Sequence, residues 1–296
     1  MDVGQPTIDQ LRIFLAVADE GSFNKAASKL GRALSVVSYG VSSLENQLGV
    51  RLFDREGSRR PTLTAAGAAL LADARAVSDE TDSLVARARG IRQGLETQVA
   101  LAVDVMLPSA TVASILRDFQ SAFPTVDLRL HVEALGAIAA LVWDGKADLG
   151  VAGPDIIDLP ELDRLVVGSV ALVPVAAPEH PLAKQRLLAP GDARKHLQLV
   201  LTDRSPLTEG REFSVVSART WRLADLGAKH ALLLEGIGWG NMPRHAIADD
   251  LAAGRLVELR LPNAPPLDYR LHALWRKDRT PGPATTWILN ALIERC

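Results

Sequence analysis

The chain has 296 residues, 48% of them hydrophobic and 23% charged, with a formal net charge of −2. That length accommodates two or three ordinary domains, and the composition is normal for a protein that buries a substantial core. Near-neutrality excludes a globally basic nucleic-acid binder, so any attraction to a polyanion must be local.

Thr7 followed by Gln10 forms a capping-box pattern for a first helix, with Ile8, Leu11, Phe14, Leu15 and Ala18 as its apolar face. From Ser22 to Arg60 the pattern is two short helices around a tight turn, then a basic loop. The small pair Ala26 and Ala27 permits close packing, and Gly31 permits the turn. On the second helix, at 100° per residue, Val37, Val41, Leu44 and Leu48 form one stripe. Ser35, Tyr39, Ser42 and Asn46 face away from it. This is a helix-turn-helix, whose second helix enters the major groove. Ser35, Ser38, Tyr39 and Ser42 would meet base edges or phosphates, and Ser22, Asn24 and Lys25 would flank them.

Arg51, Arg55, Arg59 and Arg60 surround a Gly57-Ser58 turn that precedes Pro61-Thr62-Leu63-Thr64, which predicts a wing tracking the phosphate backbone. Between Asn24 and Thr64, seven basic residues oppose three acidic ones, a net +4, against about −6 for the remainder. A solvated helical hairpin with ordinary surface charge is the plain alternative.

Thr64 would cap a long helix running to about Gln93. Its apolar positions repeat every seven residues, with Leu70, Val77, Leu84 and Ile91 on one line and Ala74, Thr81, Ala88 and Leu95 on another. A self-pairing helix is favoured over one packed only on its own domain, because a dimer suits a palindromic site.

After a hinge at Gly94, strand candidates alternate with helices: 98–104, 126–132, 148–153, 170–177, 196–201, 238–242, 255–259 and 269–276. The helices are 109–122, one ending near Trp143, 225–235, and a final one. Such alternation predicts predominantly parallel sheets flanked by helices, in two units with a cleft where strand ends converge.

The amino-terminal residues resemble the LysR-type transcriptional regulator family. The match runs through Leu11–Phe14, Gly21-Ser22-Phe23, Ala26-Ala27, Leu30-Gly31, Val37-Ser38, Leu44-Glu45, Leu48–Phe53, Leu63-Thr64 and Gly67. It extends over essentially the whole chain but is much less specific after Gly94. Where many members carry a Ser-Gln-Pro entry and an arginine on the recognition helix, this chain has Ala33-Leu34-Ser35 and Tyr39. No arginine on that helix can make a bidentate guanine contact.

The resemblance implies an α/β protein with an all-α N-terminal part. Residues 1–65 would form a winged helix-turn-helix, 66–95 a linker helix for dimerisation, and 96–296 a two-lobed regulatory domain like periplasmic solute-binding proteins. It also implies a homodimer, assembling further into a tetramer, and an inducer bound between the lobes.

The inducer loops would be Asp104, Met106 and Ser109 after the first strand, with Thr202, Asp203, Arg204 and Ser205 facing them, and Trp239 and Asn241 nearby. Ser109 would cap the following helix, alone or while its N-terminus receives a polar oxygen. Asp104 would accept from a hydroxyl or amine, or be an exposed loop carboxylate. Arg204 suits a carboxylate, and Trp239 suits either ring stacking or core packing.

Enzymatic signatures are missing. Gly236, Gly238 and Gly240 alternate without a G-x-G-x-x-G, there is no phosphate loop or G-x-S-x-G elbow, and the six histidines lack metal-ligand spacing. No catalytic residue, metal or cofactor is expected. No run approaches the roughly 20 apolar residues of a membrane span. MDVGQPTIDQ lacks an export pattern, and the single Cys296 allows no intrachain disulfide, so the expected location is the cytoplasm.

The expected partners are operator DNA, a small-molecule effector, further copies of the chain and, for an activator, RNA polymerase. A solute-binding or carrier protein with a helical extension and a sequence-independent architectural DNA binder remain the alternatives.

Overall fold

The computed structural model describes residues 4–54, 60–154, 159–203, 205–211 and 213–296. The chain divides between Arg92 and Gln93 into two compact units.

The first unit opens with α1 (Ile8–Glu20), whose capping box is formed as the sequence predicts. Thr7 accepts from the Gln10 N–H, and the Gln10 side chain accepts from Thr7 N at 2.8 Å. α2 (Phe23–Leu30) is capped by Ser22, and α3 spans Leu34–Leu48. Gly21, Gly31 and Gly49 end the three helices in the left-handed conformation, which glycine adopts without steric cost.

β1 (Phe53–Asp54) and β2 (Thr62–Leu63) pair antiparallel as the base of the wing. The wing is fastened to α3 by Glu45, whose carboxylate accepts from Leu52 N at 2.8 Å and Phe53 N at 3.1 Å. Phe53 packs edge-on against both Phe14 and Phe23, in a core with Val17, Ala26, Val37, Val41 and Leu44.

α4 (Ala65–Arg92) follows, with Thr64 accepting from Gly67 N. A Cβ at Gly67 would lie 2.1 Å from the Leu52 carbonyl oxygen, so the helix starts this close to the wing only because residue 67 has no side chain. Ala74 and Ser78 are buried and Leu70 packs on the core, with Arg75–Asp19 (2.6 Å) and Arg12–Asp82 ion pairs bracing α4 on α1. Val77, Leu84, Val85 and Ile91 are exposed. The predicted seam is corrected at both ends: Leu70 and Ala74 pack on the first unit's own core, and Leu95 lies beyond α4 and packs on the core of the second unit.

The second unit contains β3 (Gln98–Asp104), α5 (Ser109–Ala122), β4 (Asp127–Glu133), α6 (Gly136–Trp143), β5 (Leu149–Ala152) and the long β6 (Leu162–Ala176). Then come α7 (Pro181–Lys184), β7 (Gln198–Leu201), β8 (Thr220–Leu223), α8 (Leu226–Leu234) and β9 (Trp239–Pro243). The last elements are α9 (Ala248–Ala252), β10 (Val257–Glu258), β11 (Leu267–Arg276) and α10 (Pro283–Arg295).

The strand order is β4-β3-β5-β11-β6-β9-β7-β8, with β10 also on β6. β3 is parallel to β4 and β5, and β7 is parallel to β8 and β9. These are the cores of two lobes. The predominantly parallel expectation is corrected where β6 and β11 pass between them: β11 runs antiparallel to β5 and β6, and β6 antiparallel to β9. The chain crosses from the first lobe to the second on β6 and returns on β11. β3, buried at every residue after Gln98, shows the continuous apolar character of a central parallel strand.

Candidate DNA-reading surface and effector cavity

In the first unit, α3 presents two opposite faces. Val37, Val41 and Leu44 are fully buried, whereas Tyr39 is 75% exposed and Ser35 is exposed, with Ser38 and Ser42 at the margins. Asn24 and Lys25 are exposed on α2, and Arg51 and Arg60 at the two ends of the wing. Arg55 and Arg59 lie outside the described residues. The Ser22 hydroxyl is engaged as a helix cap, accepting from Lys25 N.

Two basic residues counted in the +4 segment have partners outside it. Lys29 pairs with Glu20 at 2.8 Å, and Arg32 meets Asp9 in a bidentate pair at 2.7 and 2.6 Å. The Arg32 guanidinium holds the Asp9 carboxyl below its ordinary range.

In the second unit, a small cavity, partly open to solvent, lies between the lobes. Met106 and Leu135 line it from the first lobe. Gln198–Leu201, Phe213, Ser214, Lys229 and Asn241 line it from the second, and Leu172, Leu267 and Tyr269 from the crossing strands. The predicted effector residues divide. Met106 and Asn241 are in this cavity, whereas Thr202, Asp203 and Ser205 line a separate polar groove with Thr208 and Arg222. Arg204 lies outside the described residues.

Three expectations are corrected. Ser109 is not the cap of α5; Pro108 occupies that position, without a side-chain hydrogen bond, and Ser109 is exposed in the first turn. Trp239 is fully buried and donates from Nε1 to the Ser217 hydroxyl at 3.1 Å, leaving no ring face for a ligand. Asp104 is neither exposed nor free for an incoming hydroxyl. It is 1% exposed, accepting from Tyr269 Oη at 2.8 Å and Met106 N at 2.9 Å, with a further bond from the Gly153 backbone. Gln198, Lys229, Phe213 and Tyr269 are lining residues that no motif or spacing in the sequence singles out.

Burial pushes the Asp104 carboxyl up to about 6, against the lowering effect of its three donors. Because the folded state then holds this proton more tightly than the unfolded chain, its contribution is fully present below the ordinary 3.8. It is lost as pH rises to about 6. Asp104→Asn keeps an acceptor for the backbone donors and removes the charge. The variant should unfold with a flatter pH dependence between 4 and 6 and be at least as stable as the parent at pH 7; urea denaturation at stepped pH checks this.

A winged helix-turn-helix, followed by an α/β unit with a cavity between two lobes, defines the class of ligand-responsive DNA-binding regulators. Residues 8–68 match the family model described as a bacterial regulatory helix-turn-helix protein of the lysR family, and residues 92–296 match the LysR substrate binding domain. The chain belongs to the LysR family of transcriptional regulators, with a DNA-binding and an effector-binding domain.

It is 28% identical to the probable HTH-type transcriptional regulator YhaJ of Escherichia coli strain K12, over 97% of this chain and 95% of that protein. It is 31% identical to the HTH-type transcriptional activator AllS of Salmonella paratyphi A, over 91% and 88%. The solved structure of full-length LysG from Corynebacterium glutamicum, with its bound effector Arg, matches with a TM-score of 0.51 at 21% identity. That match covers 98% of this chain and 97% of that one, a likeness of fold. Among the described residues no helix is long and apolar enough to cross a membrane.

Proposed function

We propose that a homodimer, paired along α4, sets two copies of α3 into successive major grooves of an operator, with effector occupancy of the interlobe cavity altering the arrangement. The observation that carries this reading is the exposed Ser35–Tyr39 face of α3, opposite a fully buried Val37-Val41-Leu44 stripe and beside the wing. Tyr39, Ser35, Ser38 and Ser42 would contact bases or nearby phosphates. Asn24, Lys25, Arg51 and Arg60, together with Arg55 and Arg59, would hold the backbone.

The exposed apolar residues of α4 support the pairing, and two such dimers would make a tetramer. If the regulator activates, RNA polymerase is its further partner, and the site of action is the cytoplasm. The molecule works by binding alone, without a reaction of its own. An effector acts only through different affinities for two arrangements, a coupling of about 1–3 kcal/mol in typical cases.

Two substitutions separate base reading from backbone holding. Tyr39→Ala should reduce the preference for operator over scrambled duplex by roughly tenfold. Arg51→Ala should weaken both duplexes alike and lower the salt slope by about one. Gel retardation at several salt concentrations measures both; a Tyr39→Ala variant with undiminished preference removes Tyr39 from the base-reading set.

A further inference from the structure

We propose that the interlobe cavity takes a compact, largely apolar monocarboxylate, whose carboxylate is received by Lys229 Nζ. The inference rests on the reading of this domain as effector-binding and names the chemistry that site selects.

Lys229 lies on α8 and is only 3% exposed. Its Nζ donates to the Asn241 carbonyl oxygen at 2.7 Å. An ammonium has three donors, and lysine is almost never fully buried unless paired. Here one neutral carbonyl answers it, and among the described residues no carboxylate stands within ion-pair distance. Burial alone acts on the group, drawing it down to about 8, so at neutral pH it remains mostly protonated inside the protein.

The local backbone makes room for this arrangement. A Cβ at Gly240 would lie 3.0 Å from Lys229 Cε and 2.6 Å from the Leu199 carbonyl oxygen. The lysine stem therefore crosses β9 at the one residue type that leaves it space. Gly240 is one of the alternating glycines at 236, 238 and 240, which match no phosphate-binding pattern.

Most of the rest of the lining is apolar or already bonded, with the Ser214 hydroxyl and the Asn241 amide as the further polar groups. The Gln198 amide donates to the Ser214 carbonyl at 2.8 Å and accepts from Val216 N and Ser217 N at 2.8 and 3.0 Å. Tyr269 donates to Asp104. Lys229 is the sole charged side chain among the described lining residues, beside the neutral Asn241 amide and Ser214 hydroxyl. Met106, Leu135, Leu172 and Phe213 supply apolar walls that reject a multiply charged anion such as a phosphate. A single carboxylate on a hydrocarbon body satisfies both halves of the cavity.

The experiment compares hexanoate with hexanamide and phenylacetate with phenylacetamide, by calorimetry on the full chain. At least one acid should bind roughly tenfold or more tightly than its amide, as expected for losing a charge-assisted hydrogen bond. At pH 9, binding of that acid should take up protons in the parent protein, read from buffers of different ionisation heat. Lys229→Met should lose both the acid preference and the proton uptake.

The proposal is overturned if acids and amides bind alike, if no acid of the panel binds, or if Lys229→Met keeps the preference. The parent comparison stands whether or not the variant folds. Operator retention by the ligand-free parent, run in parallel, separates the two readings. Retention without acid preference removes the ligand class alone, whereas failure of specific retention removes the regulator reading beneath it.

Discussion

Gly153→Ala should destabilise the regulatory unit by about 4 kcal/mol, combining an overpacked core with a lost buried hydrogen bond. The added Cβ would lie 1.8 Å from Tyr269 Oη and 2.0 Å from Cζ, inside any contact distance, so the ring must move. Tyr269 is 4% exposed and fixed on β11 between β5 and β6, leaving little space for that shift. Moving it withdraws the hydroxyl from Asp104, whose buried carboxylate then loses one of its three donors. All five tryptophans lie at Trp143 or after it, so intrinsic tryptophan fluorescence reports this unit alone. A denaturation midpoint equal to the parent's would show that the Asp104–Tyr269–Gly153 packing contributes little.

Leu84→Asp carries the second large effect, on assembly rather than on folding. Leu84 is 65% exposed within its own chain, and Val77 and Ile91, one heptad to either side, are also exposed. An aspartate there costs the isolated chain almost nothing but places paired carboxylates in an apolar seam. Sedimentation should show loss of the dimer. Operator affinity should fall roughly a hundredfold, because the second half-site contact is no longer intramolecular. A variant that remains oligomeric would remove α4 as the pairing element.

Local chemistry makes some elements legible from the sequence alone. The Thr7–Gln10 box, the glycine helix ends and the Val37-Val41-Leu44 stripe are written in spacings of three and four, and the α1–α3 packing follows from them. β3 and α5 begin and end at the residues their patterns indicate, since an unbroken apolar run and a 3.6-residue period leave little ambiguity. β8 escapes such a reading: Thr220–Leu223 is a short edge strand with no fully buried residue and hence no alternation to detect. β6 is legible only from residue 170 onward, because Asp163 and Arg164 interrupt residues 162–169, a half-exposed stretch held by pairing with β11. The antiparallel course of those two strands is a property of long-range pairing, which composition does not encode.

The candidate sites divide along the same line. The polar face of α3 follows from helical period alone, but the Lys29–Glu20 and Arg32–Asp9 pairs join residues nine and twenty-three apart. Trp239 is poised between stacking and packing by its sequence, and burial in the second lobe decides for packing. Lys229 sits in LGAKHALLL, where a lone lysine on a short helix reads as a surface residue. Only the glycine at 240, which makes space for its stem, carries a trace of its burial.

On this reading, residues at the amino end grip one particular duplex. Purified full-length protein, titrated at low and moderate salt against the DNA upstream of its own gene and a scrambled duplex of equal length, tests it directly. Retention of the upstream DNA is expected at concentrations at least tenfold lower, with affinity falling steeply as salt rises. Equal retention of the two duplexes, or binding indifferent to salt, would contradict it.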